Sequence, residues 1–505
     1  MGYTFSRKHP RILYAENNLA QHFSSKFAFD LYPSQAVMVQ PNSELQLEDQ
    51  AQPEVLDEPT QISSDLIYGL DARPPLIEAI FVALQHVFAC FVGIITPGLI
   101  ICNALEVPPA DTAFIISMSL IASGIATFIQ ARRFGPVGSG LLSIQGTSFA
   151  FLGPIIGAGL VVKGDGGTYQ DALGTIFGLC FFGAFVEIFV SRFLHLANKI
   201  ITPLVTGIVV TLIGLTLINV GITSIGGGVP ARSNETFGNP IYLGIALLVI
   251  IIIVALNSLN NSFLRMSSIV IGLIVGYLVS IPLGLVNFSN LSELPLITAP
   301  IPFRYGLGFD WGAFIPFAFL YIITTIESIG DITATSAISG QPIQGPLYMK
   351  RIKGGVLADG INSIIAACLN TFPNTTFSQN NGVIQITGVG SRYVGYFIAG
   401  IFVILGFFPI IAGVVQGLPQ PVLGGATIIM FGTVAVAGIK IISCVNLTRR
   451  NSLILAISFG LGLGVTFAPD LLEQMPNLVK NIFSSGISTG GITALLLNLI
   501  LPGRE

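Results

Sequence analysis

The sequence predicts an all-α polytopic membrane protein with fourteen transmembrane segments, built as two inverted repeats of seven. Three observations lead to this fold class: the composition, the run of apolar segments and the placement of Lys and Arg. The chain of 505 residues is 52% hydrophobic and only 9% charged, and its mean hydropathy is +0.80. A soluble domain is usually about a quarter charged. We therefore expect the lipid bilayer as its main surrounding.

The first 72 residues differ from the rest of the chain. They are polar, carry acidic residues from Glu44 to Asp71, and show no sustained periodicity. Such a composition predicts a flexible tail. The transporter domain is then expected over 73–503.

Apolar segments follow one another closely after the tail, each near the roughly 20 residues that span a bilayer as a helix. The third and tenth are the least uniformly apolar. The segments are 76–100, 112–130, 138–161, 172–194, 201–223, 241–257, 268–287, 313–338, 354–369, 378–391, 393–416, 420–442, 452–468 and 485–501.

The positive residues of the connections test this count, because cytoplasmic connections are enriched in Lys and Arg. With a cytoplasmic tail, the inner connections hold thirteen of them and the outer connections four. A single missed segment would destroy the alternation. Both termini are therefore expected in the cytoplasm.

A weak internal symmetry relates the third and tenth segments. Each contains a small polar stretch, 143–149 and 377–382, and each comes two segments after an apolar helix with an ionisable residue, His86 or Glu327. Because seven is odd, two such halves must be inverted relative to each other. Inverted repeats with interrupted segments are typical of secondary transporters with a site near the bilayer midplane.

The tenth segment is the strongest candidate for that site. Gln379, Asn380, Asn381 and Gly382 follow one another between strongly apolar stretches. Non-helical or polar backbone is tolerated at membrane depth only where it is buried in protein or lines a cavity.

Ionisable residues inside membrane segments are functional candidates because they are costly there. Glu327 and Asp331 are four apart and share one helical face. For Asp331 a structural and a proton-coupling role stay open, and for Asp359 a coupling or hydrogen-bonding role is preferred to helix capping. We expect His86 to shape the site through hydrogen bonds rather than by direct contact, and Glu187 to be structural.

The chemistry of these side chains narrows the ligand. A buried carboxylate only accepts hydrogen bonds, whereas the Gln379 amide both accepts and donates. Together they suit a flat, neutral molecule edged with N–H and C=O groups, and Phe149 could stack on its face. An inorganic anion would instead favour Arg or helix N-termini.

Other classes are disfavoured. The net charge of −3 gives no reason to expect a nucleic-acid partner. No nucleophile–base pair and no metal-ligand cluster occurs at usable spacing, so we expect neither an enzyme nor a metal site.

Five motifs together resemble the nucleobase–ascorbate transporter family, the second nucleobase:cation symporter family, in its xanthine and uric acid permease branch. The resemblance covers roughly 65–503. The motifs are Gln85-His86, the stretch Gly138 to Phe151, the run Glu327 to Ser336, Leu357 to Gly360, and the signature positions Gln379, Asn380, Gly382 and Thr387.

The resemblance implies an architecture. A core domain would comprise 76–194 and 313–416, and a gate domain 201–287 and 420–501. The third and tenth segments would each contain a short strand and a half-helix. A homodimer in the cell membrane (plasma or inner membrane), an elevator-like movement of core against gate, and import driven by the proton gradient, without a cofactor, are also implied.

The resemblance also implies residue roles. It assigns substrate binding to Glu327, Gln379, Asn380, Phe149 and Ser148. Proton coupling and transport fall to Asp331, Asp359 and His86.

The substrate is left partly open. Gln379, at the first signature position, resembles the residue found there in the xanthine and urate branch. Ser148 stands where strict xanthine carriers often have Asn, so urate stays open as a substrate. The alternatives are a uracil or broader nucleobase permease and, more distantly, an anion exchanger of the same architecture. The choice between proton and sodium coupling also stays open.

Overall fold

The structure is a computed structural model that describes residues 66–502, apart from 195–201, 234, 262–263, 266, 287–293, 344, 378, 444, 476–478, 480–482 and 484. Most of the predicted tail, residues 1–65, lies outside the described residues. The same holds for the side chain of Gln379.

The first half of the described chain contains eight helices and one strand. They are α1 (Leu76–Ala104), α2 (Pro109–Arg132), β1 (Gln145–Thr147), α3 (Leu152–Gly164), α4 (Tyr169–Arg192), α5 (Pro203–Ile225), α6 (Gly228–Ser233), α7 (Pro240–Asn257) and α8 (Ser268–Ser280). A 3-10 turn, Phe149–Phe151, leads from β1 into α3.

The second half repeats the scheme of a strand between helices. It contains α9 (Trp311–Ile338), α10 (Gly345–Cys368), β2 (Asn374–Thr376), α11 (Gln379–Thr387), α12 (Arg392–Gly406), α13 (Pro409–Gln416), α14 (Gln420–Ser443), α15 (Arg449–Phe467) and α16 (Gly486–Ile500). A 3-10 turn, Pro469–Leu472, follows α15.

The predicted helical membrane fold class is confirmed. Among the described residues, eight helices are long and apolar enough to cross a membrane, or nine when α12 and α13, bent by 76°, are taken as one span. Three shorter apolar helices are also present: the 3-10 turn together with α3, then α8, and then α16. All fourteen predicted segments overlap helices of the structure; the number that cross the membrane stays a prediction.

The ninth segment begins earlier than its apolar pattern predicts. The pattern starts at 354, whereas α10 begins at Gly345. The first turns of α10 carry Lys350, Arg351 and Lys353, which interrupt the apolar pattern without ending the helix. Asp359 consequently lies in the middle of α10 and does not cap it.

The strands β1 and β2 pair antiparallel, which joins the two halves of the chain in a buried position. Gln145 stands opposite Thr376, Gly146 opposite Thr375 and Thr147 opposite Asn374. All six residues are buried. The pairing satisfies backbone groups that a break in a helix would otherwise leave unpaired within the membrane.

Gly146 allows this close approach. A Cβ atom at this position would lie 2.4 Å from the ring of Phe377 and 2.8 Å from the side chain of Ile94. A Cβ atom added at Gly93 of α1 would lie 2.8 Å from the same ring. Phe377 thus packs against two glycines at the junction of β2 and α11.

The helices pack in neighbouring sets. α2 packs on α12, and α4 packs on both α9 and α10. In another set α5 packs on α14, α7 on α8, and α15 on α16. The approach of α5 and α14 is close because Gly214 faces Ala435, where a Cβ atom would lie 2.3 Å from the backbone nitrogen. Small residues at such contacts are typical of membrane helices.

Candidate functional site

Asp359 stands at the centre of a buried polar network beside the strand pair. Gln130 of α2 donates a hydrogen bond of 2.6 Å to Asp359 Oδ1. Ser328 of α9 donates to Asp359 Oδ2 and lies 3.5 Å from the Thr375 hydroxyl of β2. The carboxyl of Asp359 therefore links three helices to the broken segment.

Asp331 is linked to the same strand. Thr376 Oγ1 donates a hydrogen bond of 3.1 Å to Asp331 Oδ2. One turn further along α9, Thr335 donates to Asn381 Oδ1 at 2.7 Å. The helical face that carries Asp331 thus holds both β2 and the first turn of α11 in position.

Glu327 lies on the same helix, one turn before Asp331. Its Oε2 atom is buried and has no hydrogen-bond partner among the described residues. A buried acceptor without a partner is costly. Glu327 can therefore accept a hydrogen bond from a ligand without giving up one within the protein at that oxygen.

Asn380 anchors the start of α11. Its Nδ2 atom donates a hydrogen bond of 2.5 Å to the carbonyl of Leu142, which comes just before β1. Its Oδ1 atom is buried and unpartnered in the described structure. The imidazole of His86 from α1 faces the Asn380 side chain, although neither ring nitrogen makes a well-formed hydrogen bond.

Ser148 and Phe149 continue from β1. The backbone N–H of Ser148 donates to the carbonyl of Pro373 at 2.8 Å, and its hydroxyl is buried without a partner in the described part of the chain. Phe149 is half-buried and meets Phe431 of α14 edge to face, with ring centroids 5.3 Å apart. Phe149 thus lies where the broken third segment meets α14.

Three polar residues that sequence analysis did not assign to the site belong to its surroundings: Gln130, Gln145 and Ser328. Gln145 begins β1 and its amide faces Asp359. Gln145 occurs in the quoted motif of the third segment, so the sequence held a signal for it. Ser328 likewise lies within the quoted run Glu327 to Ser336. Gln130 belongs to no quoted motif, and a single Gln in a membrane helix gives no signal of its own.

The electrostatic character of the site is acidic. Glu187 of α4 lies within electrostatic range of Asp359 and Glu327, and Glu327 lies within range of Asp331. Glu187 is 1% exposed, and its Oε1 atom has no partner in the described regions. The sequence predicted a structural role for Glu187; its position beside the other carboxyls makes it part of the site's environment.

Glu187, Glu327 and Asp359 form no salt bridge with a Lys or Arg side chain that the structure describes. The three salt bridges found there lie elsewhere: Lys163–Glu106, Arg304–Asp111 and Arg392–Asp71. The described residues also hold no group of three or more metal-ligating side chains that could bind a metal ion. The unpartnered oxygen of Glu327 suits a ligand that donates hydrogen bonds.

The fold and this site define a class of protein. Two broken segments meet in a buried antiparallel strand pair of a helical membrane protein, with buried carboxyl and amide groups around them. This is the arrangement of a secondary transporter.

The sequence places the chain within that class. The profile of a permease family, Xan_ur_permease, matches residues 77–471. The chain belongs to this family, the nucleobase:cation symporter-2 family. Its relatives are permeases, so the chain is a transporter and not an enzyme.

Curated relatives extend over most of the chain. Xanthine permease XanP of Escherichia coli (strain K12) is 52% identical over 444 residues, which cover 88% of this chain and 96% of that protein. Xanthine permease XanQ of the same organism is 48% identical, covering 87% and 94%. The uric acid-xanthine permease of Emericella nidulans is 31% identical, covering 86% and 83%.

Solved structures share the fold at low sequence identity. The transmembrane domain of the cyanobacterial bicarbonate transporter BicA has a TM-score of 0.53 at 14% identity, covering 82% of this chain and 99% of that one. Murine Slc26a9, an anion transporter in the inward-facing state, has a TM-score of 0.55 at 12% identity, covering 85% and 69%. At these identities the likeness concerns the fold alone.

Proposed function

We propose that this permease imports a purine nucleobase, xanthine and/or uric acid, by proton symport. Three relatives with high coverage are named as xanthine or uric acid-xanthine permeases. The observation that carries the proposal is the buried, unpartnered Oε2 of Glu327 among the described residues. A purine oxo-compound offers ring N–H donors to such an acceptor.

The proposed substrate site is formed around β1 and α11. Glu327 accepts from a ring N–H, Gln379 pairs with the carbonyl and N–H edge, and Asn380 holds the start of α11 through its bond to the Leu142 carbonyl. Phe149 stacks on the face of the base. Ser148, whose hydroxyl is unpartnered within the described structure, completes the polar wall.

The proposed proton pathway uses the carboxyls behind this wall. Asp331 accepts a hydrogen bond from Thr376 of β2. Asp359 accepts hydrogen bonds from Gln130 of α2 and Ser328 of α9. A change in the protonation of either carboxyl alters the hydrogen bonds that hold the strand pair. His86 acts indirectly, through Asn380.

We also propose alternating access by an elevator-like movement of the core domain against the gate domain, in a homodimer of the cell membrane with both termini in the cytoplasm. The helix packing supports this division, because α2 with α12 and α4 with α10 pair within the core, whereas α5 with α14 and α15 with α16 pair within the gate. Phe149 and Phe431 meet across the proposed boundary.

A uracil or broader nucleobase permease is the alternative within the family. The anion exchanger is less well supported, although BicA and Slc26a9 share the fold. Glu187, Glu327 and Asp359 form no salt bridge with a cation in the described regions, and an inorganic anion such as bicarbonate lacks the ring N–H donors that a purine offers to these acceptors.

Uptake of labelled xanthine tests the proposal in cells that lack their own purine permeases. Unlabelled urate, hypoxanthine, guanine and uracil serve as competitors, and a proton uncoupler is compared with replacement of sodium. We expect saturable uptake of xanthine. Unlabelled urate should reduce it, uracil should leave it unchanged, and the uncoupler should abolish it. Uptake of uracil without xanthine would refute the purine assignment, and loss on sodium replacement alone would refute proton coupling.

A further inference from the structure

A polar cavity lies at the ends of three helices, and none of its lining residues belongs to the proposed transport site. Its volume is about 430 Å³. The wall includes Arg133 after the end of α2, Arg192 at the end of α4, and Lys350 and Lys353 in the first turns of α10. By the distribution of Lys and Arg, this end faces the cytoplasm.

The cavity is strongly cationic. Its lining contains these four basic side chains and no Asp or Glu. None of the four forms a salt bridge with any carboxylate that the structure describes. Four like charges around one recess repel each other unless an anion offsets them.

Two further features strengthen the positive potential. The first turn of α10 lines the cavity through Pro346, and the N-terminus of a helix carries partial positive charge. Arg351 lies close by, is 8% exposed, and leaves its Nη1 atom without a partner among the described residues. Burial and the charges of Arg133 and Arg392 lower the pKa of its guanidinium.

The general enrichment of Lys and Arg on the cytoplasmic side does not account for this arrangement. That enrichment distributes charges along connections, whereas here residues from three separate helix ends converge on one concave site. A volume of about 430 Å³ falls in the range of small-molecule sites, roughly 300–1,000 Å³.

We propose that this cavity binds a phosphate group, carried either by an anionic phospholipid of the cytoplasmic leaflet or by a soluble phosphate. Arg and Lys supply charge-assisted hydrogen bonds to its oxygens, and the first turn of α10 adds the helix-end contribution. The site does not rest on the proposed transport function, since none of its lining residues belongs to the transport site.

The test uses the purified, delipidated full-length protein in neutral detergent at low ionic strength, where surface charges are least screened. Binding of inorganic phosphate, and of phosphatidylglycerol in mixed micelles with phosphatidylcholine as the neutral reference, is measured by thermophoresis. The cavity variant combines Arg192→Gln, Lys350→Gln and Lys353→Gln. Its matched control removes the same charge from exposed residues outside the cavity: Arg132→Gln, Lys440→Gln and Arg449→Gln.

We expect wild type and control to bind at least one probe, and the cavity variant to bind it on the order of 100-fold more weakly. Binding of phosphatidylglycerol alone identifies a lipid site; binding of inorganic phosphate identifies a site for soluble phosphates. If the triple variant does not fold, the single variant Lys353→Gln replaces it in the binding test, and we expect it to weaken binding about fivefold. Equal loss in cavity and control variants, or no binding of either probe to wild type, would overturn the proposal.

Discussion

Outside the proposed substrate-binding residues, Gln130 is the most informative position for mutation, because its side chain makes hydrogen bonds to three separate groups. Its Nε2 atom donates to Asp359 Oδ1 at 2.6 Å and to the Gly355 carbonyl at 2.9 Å. Its Oε1 atom accepts from the backbone N–H of Ser139, also at 2.9 Å. The side chain is fully buried, so Gln130→Leu leaves three buried groups without this partner.

The cost follows from these three bonds. Hydrogen bonds between membrane helices are worth about 0.6–1.7 kcal/mol each, so we expect a loss of about 2–5 kcal/mol in stability. In addition, Asp359 loses one of its two donors, and its position relative to Ser328 and β2 is no longer fixed. We expect the rate of xanthine uptake per folded molecule to fall at least tenfold, about 1.4 kcal/mol in activation free energy.

The assay separates these two effects. Thermal unfolding in detergent measures stability, and initial uptake rates in proteoliposomes are normalised to the folded protein. Gln416→Leu is the matched control, since Gln416 makes a single hydrogen bond of 3.2 Å to the Pro109 carbonyl at the surface. Uptake per folded molecule within twofold of wild type would refute the coupling role of the Gln130–Asp359 bond.

Two further predictions concern packing and pH. Gly146→Ala places a Cβ atom 2.4 Å from the Phe377 ring and 2.8 Å from the Ile94 side chain, so these side chains must shift at the junction of β2 and α11. We expect loss of uptake, whereas Gly153→Ala, with no atom within 4 Å of the new Cβ, stays active. Desolvation and the hydrogen bond of 2.8 Å to Asp111 raise the pKa of the Tyr305 phenol. The neutral phenol of Tyr305 therefore stabilises the fold below the ordinary pKa near 10, and this contribution is lost as pH rises further. We expect Tyr305→Phe to flatten the fall of the melting temperature above about pH 10. The same dependence of melting temperature on pH in wild type and variant would contradict this reasoning.

Much of the fold could be predicted from the sequence because the bilayer imposes a simple rule on composition. Apolar runs of helical length and the placement of Lys and Arg located the segments, and the polar stretches in the third and tenth segments marked the breaks. The start of α10 was missed because Lys350, Arg351 and Lys353 make a helix end polar without ending it. The bend between α12 and α13 was missed because both helices are apolar, and only Pro409 at the start of α13 marked it.

The candidate residues of the site follow from the sequence for a similar reason, whereas their partners do not. Ionisable residues in apolar helices are costly, so the sequence pointed to Glu327, Asp331, Asp359 and His86. The roles assigned to them stay predictions. Their partners depend on tertiary packing: Gln130 reaches Asp359 across 229 positions of sequence. No local pattern indicates such a pair, because a single Gln in a membrane helix does not show which neighbour it faces.

Binding of xanthine to the purified Glu327→Gln variant tests the proposed function most directly. Glu327 has a buried oxygen with no partner in the described structure, and hydrogen bonds to charged groups contribute about 1.5–3 kcal/mol. We expect affinity to fall about 10- to 150-fold, while Glu473→Gln, an exposed control, binds as wild type does. An affinity of Glu327→Gln within twofold of wild type would contradict the assignment of Glu327 as the group that binds the base.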